Sequence, residues 1–296
     1  MTEPIRYIDR TRAYYEALGY GAPYEWARND DVPFAPAPDL REATVAVVTT
    51  AAPYLPGAGD QGPRAPYNGK AKFYQVYAMP SDPPPDLRIS HVAIDRDHTT
   101  AEDPGSYLPL QALKRAETIG RIGRAAQLVY GLPTNRSQRH TLQIDCPDLV
   151  DRLRDADVNA AIFVPNCPVC HQSCALAARA VEAAGIPTVV MGSALDIVER
   201  VGVARFLFSD FPLGNSAGRP NDSASQDRTL QMALDLLERA DGLRTTFHSP
   251  LVWPGPADWR DDYSNPDKLS QEEIARRRRE FDQAKVAAKA KRSQEL

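Results

Sequence analysis

The sequence predicts an α/β protein with a parallel, layered sheet of the Rossmann or flavodoxin-like kind, covered on its faces by helices. Apolar, β-branched runs of strand length recur without polar alternation, which is typical of strands buried on both faces. Amphipathic helical segments separate these runs. The connections are short, so strand and helix alternate regularly in the second half of the chain.

The predicted elements follow this pattern in chain order. Residues 43–51 form the first strand, with the pattern of a buried parallel strand, and residues 73–79 and 87–94 are two more strand-like runs. Helical periodicity covers residues 108–130 and 147–156. The regular part then alternates strand and helix over these segments: 159–165, 168–184, 186–192, 193–202, 204–210 and 226–240.

Composition and charge divide the chain and exclude some classes of partner. We predict an N-terminal arm at 1–40, an α/β catalytic domain at 41–258 and a charged helical tail at 259–296. Net charge is −4, so no basic field attracts nucleic acid. No apolar run is long enough to span a membrane, and the N-terminus lacks an apolar signal segment. We therefore expect a cytoplasmic protein that binds neither nucleic acid nor membrane.

We expect a homo-oligomer, and this expectation is based on the arm and the tail. The tail is charged along its whole length and prone to form a helix. Such a segment is typical of a solvated helix or of one that lies on a partner subunit. In the cytoplasm, four cysteines are more typical of a catalytic or metal site than of a disulfide framework.

Three of these cysteines lie in AIFVPNCPVCHQSC, residues 161–174, where a predicted strand gives way to a helix. Pro168 suits the first helical position, so Cys167 falls at the N-cap and Cys170 one turn into the helix. The helix dipole stabilises an anion there, which predicts a lowered pKa and a reactive thiolate at Cys167. Cys170 is then in reach to close a disulfide, and His171 to act as an acid or base.

The cysteine pattern leaves three interpretations open. A dithiol redox or nucleophile site needs only the C-x-x-C and its strand–turn–helix setting. A zinc or Fe–S site needs further ligands, such as Cys174, Cys146 or His171, although C-x2-C-x3-C is not a standard ferredoxin spacing. Cysteine also packs well as a small core residue, which is the simplest interpretation of Cys174.

Other candidates lie at the ends of other predicted strands. His91 would act as an acid or base facing Cys167, with Asp95 and His98 binding substrate, unless the histidines are ordinary strand and loop residues. Gly214 and Asn215 belong to the loop PLGNSAG, whose backbone N–H groups could hold a carboxylate, unless it is an ordinary glycine loop before a helix.

Several of these segments resemble a known family. NAAIFVPNCPVCHQSCALAARAVEAAGIPTVV is similar to the redox-active segment of component B of glycine, sarcosine and betaine reductases, and of the related D-proline reductase subunit. VAVVTTAAP, RISHVAIDRDHT, YLPLQALKRAETIGRIGRAAQLVYGLP and SDFPLGNSAGRP are similar to further segments of the same proteins. The resemblance covers roughly residues 40–240, in the family's order.

The resemblance implies a thiol-dependent reductase that cleaves a C–N, C–S or C–halogen bond of a small substrate. The family's selenocysteine position falls on Cys167 and its resolving cysteine on Cys170, so sulfur here replaces selenium. An external thiol or thioredoxin-like donor would return the electrons, no further cofactor is required, and a pyruvoyl-type partner subunit is implied. The alternatives are a desulfurase acting on a thiocarbonyl or other sulfur compound, with a metal or Fe–S cluster on the cysteines, and a non-catalytic redox-switch subunit.

Overall fold

The main sheet has eight strands, and in the computed structural model all but one of them run parallel to their neighbours. The structure describes residues 3–20, 24–89 and 94–295. Across the sheet the order is β10-β9-β8-β7-β1-β6-β3, with β5 also paired to β1. These strands are β1 (Thr44–Thr49), β3 (Tyr77–Pro80), β5 (Arg124–Ala125), β6 (Leu128–Gly131), β7 (Ala160–Val164), β8 (Thr188–Gly192), β9 (Arg205–Phe208) and β10 (Thr245–His248).

The chain changes direction across the sheet beside β1. It passes from β1 to β6 on one side and then to β7 on the other, after which β8, β9 and β10 follow outward in sequence. This is the doubly wound arrangement predicted from the sequence. The ends of β1 and β7 flank the switch point, which is where α/β sheets of this topology bind ligands.

Helices cover both faces of the sheet. On one face lie α2 (Leu110–Thr118) and α7 (Ser223–Arg239), which contact each other. On the other lie α4 (Cys146–Asp155), α5 (Pro168–Ala183) and α6 (Leu195–Val201). Alternate residues of β1 enter the two resulting cores, Val45 and Val47 on one side and Ala46 and Val48 on the other. This alternation is the period of two expected of a strand.

The helix predicted over 108–130 is wrong beyond its first half. The observed helix ends at Thr118, and Gly120 follows with a positive φ of 70°. A Cβ on Gly123 would lie 2.7 Å from the carbonyl carbon of Glu42, so only glycine fits where the chain crosses the start of β1. Residues 124–131 then pair with β1 as strands.

Two predicted strands also need correction. Of residues 73–79, only the last three extend into β3, which is an antiparallel edge strand. Of residues 87–94, Leu87–Arg88 forms β4, which pairs with β2 (Ala52–Pro53) in a separate antiparallel ribbon, and residues 90–93 lie outside the described part of the chain. The prolines around these segments remove ladder donors, which confines such strands to edges.

The N-terminal arm crosses the face that carries α5 and α6. It starts with α1 (Tyr7–Ala17) and continues as an extended segment. The N–H of Ala27 donates to Gln172 at 2.6 Å, and the N–H of Ala35 donates to Glu182 at 2.6 Å. Arg205 donates to the carbonyl of Ala35 at 2.8 Å. Buried polar side chains therefore hold the arm by its main chain.

The C-terminal tail contains α8 (Trp259–Asp262) and the charged helix α9 (Gln271–Glu295). The tail was expected to be solvated or to lie on a partner, whereas α9 here packs on its own chain. Tyr74 donates to the carbonyl of Ala288 at 2.8 Å, and Arg278 donates to the carbonyl of Leu18. Short connecting helices complete the fold: Pro104–Ser106, α3 (Gln138–His140), the π-helical turn Thr141–Asp145 and Pro266–Lys268. In the described ranges, no helix combines the length and apolarity that crossing a bilayer requires.

Candidate functional site

The cysteine turn lies at the switch point between β1 and β7. Asn166, which follows β7, donates both its main-chain N–H and its side-chain amide to the hydroxyl of Thr50 at 3.1 Å, just beyond β1. Cys167 is the N-cap of α5, as predicted, and its Sγ accepts a hydrogen bond from the N–H of Cys170 at 3.2 Å. The turn is therefore held to the neighbouring strand immediately before its first cysteine.

Cys170 lies behind Cys167, away from solvent. Its Sγ is 3.2 Å from the hydroxyl of Thr134, and either atom could be the donor. Its thiol also forms a side-chain hydrogen bond with Cys167. Cys167 is 4% exposed and Cys170 is fully buried. Cys167 therefore lies nearer to solvent, where a nucleophile would meet a substrate, and Cys170 lies behind it, where a resolving thiol would lie.

The lowered pKa predicted for Cys167 is not what the structure provides. Burial raises the pKa of this thiol well above its usual range, and the side-chain hydrogen bond with Cys170 raises it further. The N–H of Cys170 and the charge of Arg136 act in the opposite direction. The N-cap effect is present, but desolvation outweighs it because the thiolate is the charged form.

The pH dependence of alkylation measures this directly. We expect iodoacetamide to react slowly with Cys167 at pH 7, with a rate that rises about tenfold per pH unit to above pH 9, because only the thiolate reacts. Tryptic peptide 155–179 carries Cys167, Cys170 and Cys174, so fragmentation mass spectrometry must assign the site. Cys174 is 0% exposed and serves as the unreactive internal control. A rate already constant from pH 7 would show a lowered pKa instead.

His171 is fully buried, and both nitrogens of its ring form hydrogen bonds with main-chain groups. Ser193 donates its N–H to Nε2 at 2.9 Å, so Nδ1 carries the proton and donates to the carbonyl of Cys167 at 2.8 Å. Gly192 leaves room for the ring, since a Cβ there would lie 2.8 Å from it. Burial lowers the pKa of His171 to about 4, so it is neutral at pH 7. This arrangement orients the turn and leaves neither nitrogen available to a substrate.

Cys174 points into a different core from the other two cysteines of the turn. Cys167 and Cys170 belong to the apolar cluster on one side of the sheet, whereas Cys174 and Cys146 belong to the cluster on the other. Within residues 3–20, 24–89 and 94–295, no three Cys, His, Asp or Glu side chains are grouped so as to hold a metal ion. The donor set that zinc or an Fe–S cluster needs is therefore not assembled around these cysteines.

A large cavity opens in front of Cys167, with a volume of about 1240 Å³. The arm, the loop before β3, the loop after β6 and the C-terminal helix α9 all contribute to its wall. Residues from the predicted N-terminal arm and C-terminal tail therefore form part of the cavity wall, together with residues of the α/β domain. Tyr24, Tyr67 and Tyr263 line the same cavity, and their phenol groups interact electrostatically with Cys167.

Four other predicted site residues, Asp95, His98, Gly214 and Asn215, are not among the residues that line this cavity. His98 contacts Asp95 at 2.9 Å and Asp262 at 3.5 Å, which ties the loop after β4 to α8. Asn215 is fully buried and donates to the carbonyl of Pro212 at 3.0 Å. His91 lies outside the described residues.

Sequence reasoning missed the polar residues that share the cavity wall with Cys167. Thr134 and Arg136 follow β6, and Lys72 lies in the loop before β3. The strand-like run QLVYG could have indicated that residues 132–136 reach the same sheet edge as the cysteine turn. No comparable signal marks Lys72, because nothing in a proline-rich loop reveals where it folds.

Fold and site together define a class: doubly wound α/β proteins with a C-x-x-C pair at the topological switch point. Comparison with curated proteins makes this more specific. The chain is 24% identical over 210 residues to the D-proline reductase subunit gamma of Acetoanaerobium sticklandii. It is 25% identical over 201 residues to the betaine reductase complex component B subunit beta of Peptoclostridium acidaminophilum. It is 28% identical over 225 residues to the glycine reductase complex component B subunit gamma of Carboxydothermus hydrogenoformans.

The chain is similar to these subunits of D-proline, betaine and glycine reductases at 24–28% identity, and the sequence motifs indicated the same resemblance. The three matches cover 66%, 67% and 74% of the chain, in the same order. They cover 81% of the D-proline reductase subunit, but only 44% and 51% of the betaine and glycine reductase subunits. The chain thus spans about half the length of the latter two. No protein-family model and no solved structure matches it.

Proposed function

We propose that this protein is a thiol-dependent reductase that cleaves a carbon–heteroatom bond of a small substrate with Cys167 and Cys170. The observation that carries the proposal is the position of the pair. Cys167 faces the cavity at the switch point, and Cys170 lies directly behind it, bonded through its N–H at 3.2 Å. The relatives, which are named as subunits of D-proline, betaine and glycine reductases, support the reductase class.

The first step forms a bond between Cys167 and the substrate. The Cys167 thiolate attacks the carbon that carries the heteroatom, so an S–C bond forms and the C–X bond breaks. The heteroatom leaves with the electron pair and takes up a proton. Because burial disfavours the thiolate, its proton must be removed as the substrate binds and changes the local charge.

The second step releases the product and oxidises the protein. The Cys170 sulfur, deprotonated, attacks the sulfur of Cys167, so an S–S bond forms and the S–C bond breaks. The carbon keeps that electron pair and takes up a proton, which yields R–H. A carbonyl or similar group next to this carbon is needed to stabilise the developing carbanion.

The dithiol supplies the two electrons that the overall reaction consumes. R–X becomes R–H and HX, while the two thiols become one disulfide. An external dithiol or a thioredoxin-like protein then reduces the disulfide and restores the pair. Since the relatives are subunits of multi-subunit reductases, we also propose that a partner subunit can present or activate the substrate.

Mass spectrometry of the oxidised protein tests the dithiol assignment without a substrate. After diamide treatment and alkylation, we expect peptide 155–179 to lose two hydrogens through a Cys167–Cys170 disulfide, with Cys174 remaining a thiol. Dithiothreitol should reverse the change. The Cys174→Ser variant is the matched control and should form the same disulfide. A disulfide that involves Cys174, or no disulfide at all, would contradict the proposed pair.

A further inference from the structure

Arg136 and Lys72 are two of the cationic side chains that line the cavity. Arg136 donates to the hydroxyl of Tyr15, and its guanidinium lies 5.6 Å from the ring centroid of Tyr15 and 5.8 Å from that of Phe281. The ammonium of Lys72 lies 5.0 Å from the ring centroid of Tyr74. Within the described part of the chain, neither side chain forms an ion pair with an acidic residue. Repulsion between like charges in one cavity is reduced when an anion binds between or beside them.

Electrostatics connect both cations to the reactive thiol. Burial lowers the pKa of Lys72 to about 8, and the charge of Arg136 lowers it further, whereas Cys167 and Cys170 raise it. Arg136 in turn opposes the effect of burial on the pKa of Cys167. Arg136 and Lys72 line the same cavity as Cys167, and the charge of Arg136 acts on both Lys72 and Cys167. An anion bound there would relieve the repulsion between the cations.

The backbone at Arg136 supports a binding role. Its φ is 54°, a left-handed conformation that is uncommon for a residue other than glycine. Such strain persists only where surrounding contacts maintain it, and it is concentrated at functional sites. The Arg136 guanidinium lies beside the rings of Tyr15 and Phe281.

The rest of the wall indicates the size and shape of the ligand. Aromatic rings from the arm, from the loop before β3 and from α9 line the cavity, including Tyr24, Tyr67 and Phe281. Flat unsaturated rings bind such walls by stacking and edge contacts. The volume of about 1240 Å³ exceeds the roughly 300–1,000 Å³ of usual small-molecule sites. Glycine or proline would fill a small part of it.

We infer that Arg136 and Lys72 form the anion-binding part of the substrate site, and that the substrate is a carboxylate carrying an unsaturated ring. This inference rests on the proposed function, because it concerns the substrate of the same reductase. The carboxylate would bind the two cations, the ring would lie against the tyrosines, and the carbon to be reduced would lie at Cys167. On the described wall the acidic side chains are Glu280, which accepts a hydrogen bond from Arg276, and Asp97, and neither forms an ion pair with Arg136 or Lys72.

Binding of a matched pair of probes tests this inference without turnover. Isothermal titration calorimetry at fixed salt compares 2-naphthoate with 2-naphthamide, which has the same shape and no charge. We expect 2-naphthoate to bind at least about tenfold more tightly, since a charge-assisted contact is lost with the amide. We expect glycine and D-proline to compete poorly. Equal affinity for the two naphthalene probes, no binding of either, or tight competition by the amino acids would overturn the inference.

Substitutions locate the anion site. Arg136→Gln should weaken 2-naphthoate binding about tenfold to a hundredfold and leave 2-naphthamide unchanged. The matched control is Arg139→Gln, an exposed arginine outside the cavity, which should have no effect. If circular dichroism shows that Arg136→Gln is misfolded, Lys72→Gln carries the same test with the same expected direction. Unchanged affinity in a folded variant overturns the anion site, while an intact Cys167–Cys170 disulfide would leave the proposed reductase function standing.

Discussion

Replacing Cys167 by serine should lower reductive turnover by at least about 1,000-fold. A serine hydroxyl is far less acidic than a thiol and cannot form a disulfide with Cys170, so both steps of the proposed reaction are lost. Product formation is measured by liquid chromatography with dithiothreitol as the electron donor. The substrates are a panel of carbonyl-activated C–S, C–N and C–halogen compounds, with and without a carboxylate.

Two further variants separate the roles of the thiols. Cys170→Ser should stop the reaction after its first step and leave the substrate carbon attached to Cys167, which is visible as an added mass. Cys174→Ser should retain turnover, because Cys174 packs in the opposite core. Turnover by Cys167→Ser of any compound that the wild type reduces would refute the nucleophile assignment. A disulfide without reduction of any compound would instead favour the redox-switch alternative.

Removing the carboxylate of Glu182 should lower the free energy of unfolding by about 3–5 kcal/mol. Glu182 accepts hydrogen bonds from Arg205 at 2.8 Å and from the N–H groups of Ala35 and Thr188 at 2.6 Å. Burial raises the pKa of this carboxyl and lowers that of Arg205, so each charge is tolerated only with its partner. Glu182→Ala leaves the Arg205 guanidinium buried and unpaired, which is the costly outcome.

Urea denaturation of Glu182→Ala and its controls measures this difference. Glu182→Gln keeps the shape and part of the hydrogen bonding, so we expect a smaller loss. Glu238→Ala removes a surface ion pair with Arg121 and should cost less than about 1 kcal/mol. Because Glu182 also binds the arm at Ala35, limited proteolysis within residues 24–40 should be faster in Glu182→Ala. Stability equal to that of the Glu238 variant would show that the buried pair does not hold the arm.

The regular part of the fold was predictable because its signals are local. The strands around the cysteine turn are continuous apolar runs, and Pro168 marks the start of α5, which the structure confirms. The helical stripe over 108–130 was misleading because its second half, which forms β5 and β6, happens to continue the helical spacing. The tight approach of Gly123 to the start of β1, which ends that pattern, depends on a contact about 80 residues away in sequence. The edge strand β10 contains no apolar run, so the sequence pattern does not predict it.

By itself, the sequence determined the relation between Cys167 and Cys170, since an N-cap residue and one three positions later meet within a single helical turn. It also indicated the resemblance to glycine, betaine and D-proline reductase subunits, through motifs that keep their order along the chain. Only the tertiary structure decided that desolvation raises the pKa of Cys167, that main chain occupies both nitrogens of His171, and that Arg136 and Lys72 share the cavity. These properties depend on burial and on charges brought together from distant segments, and no local pattern of residues records either of them.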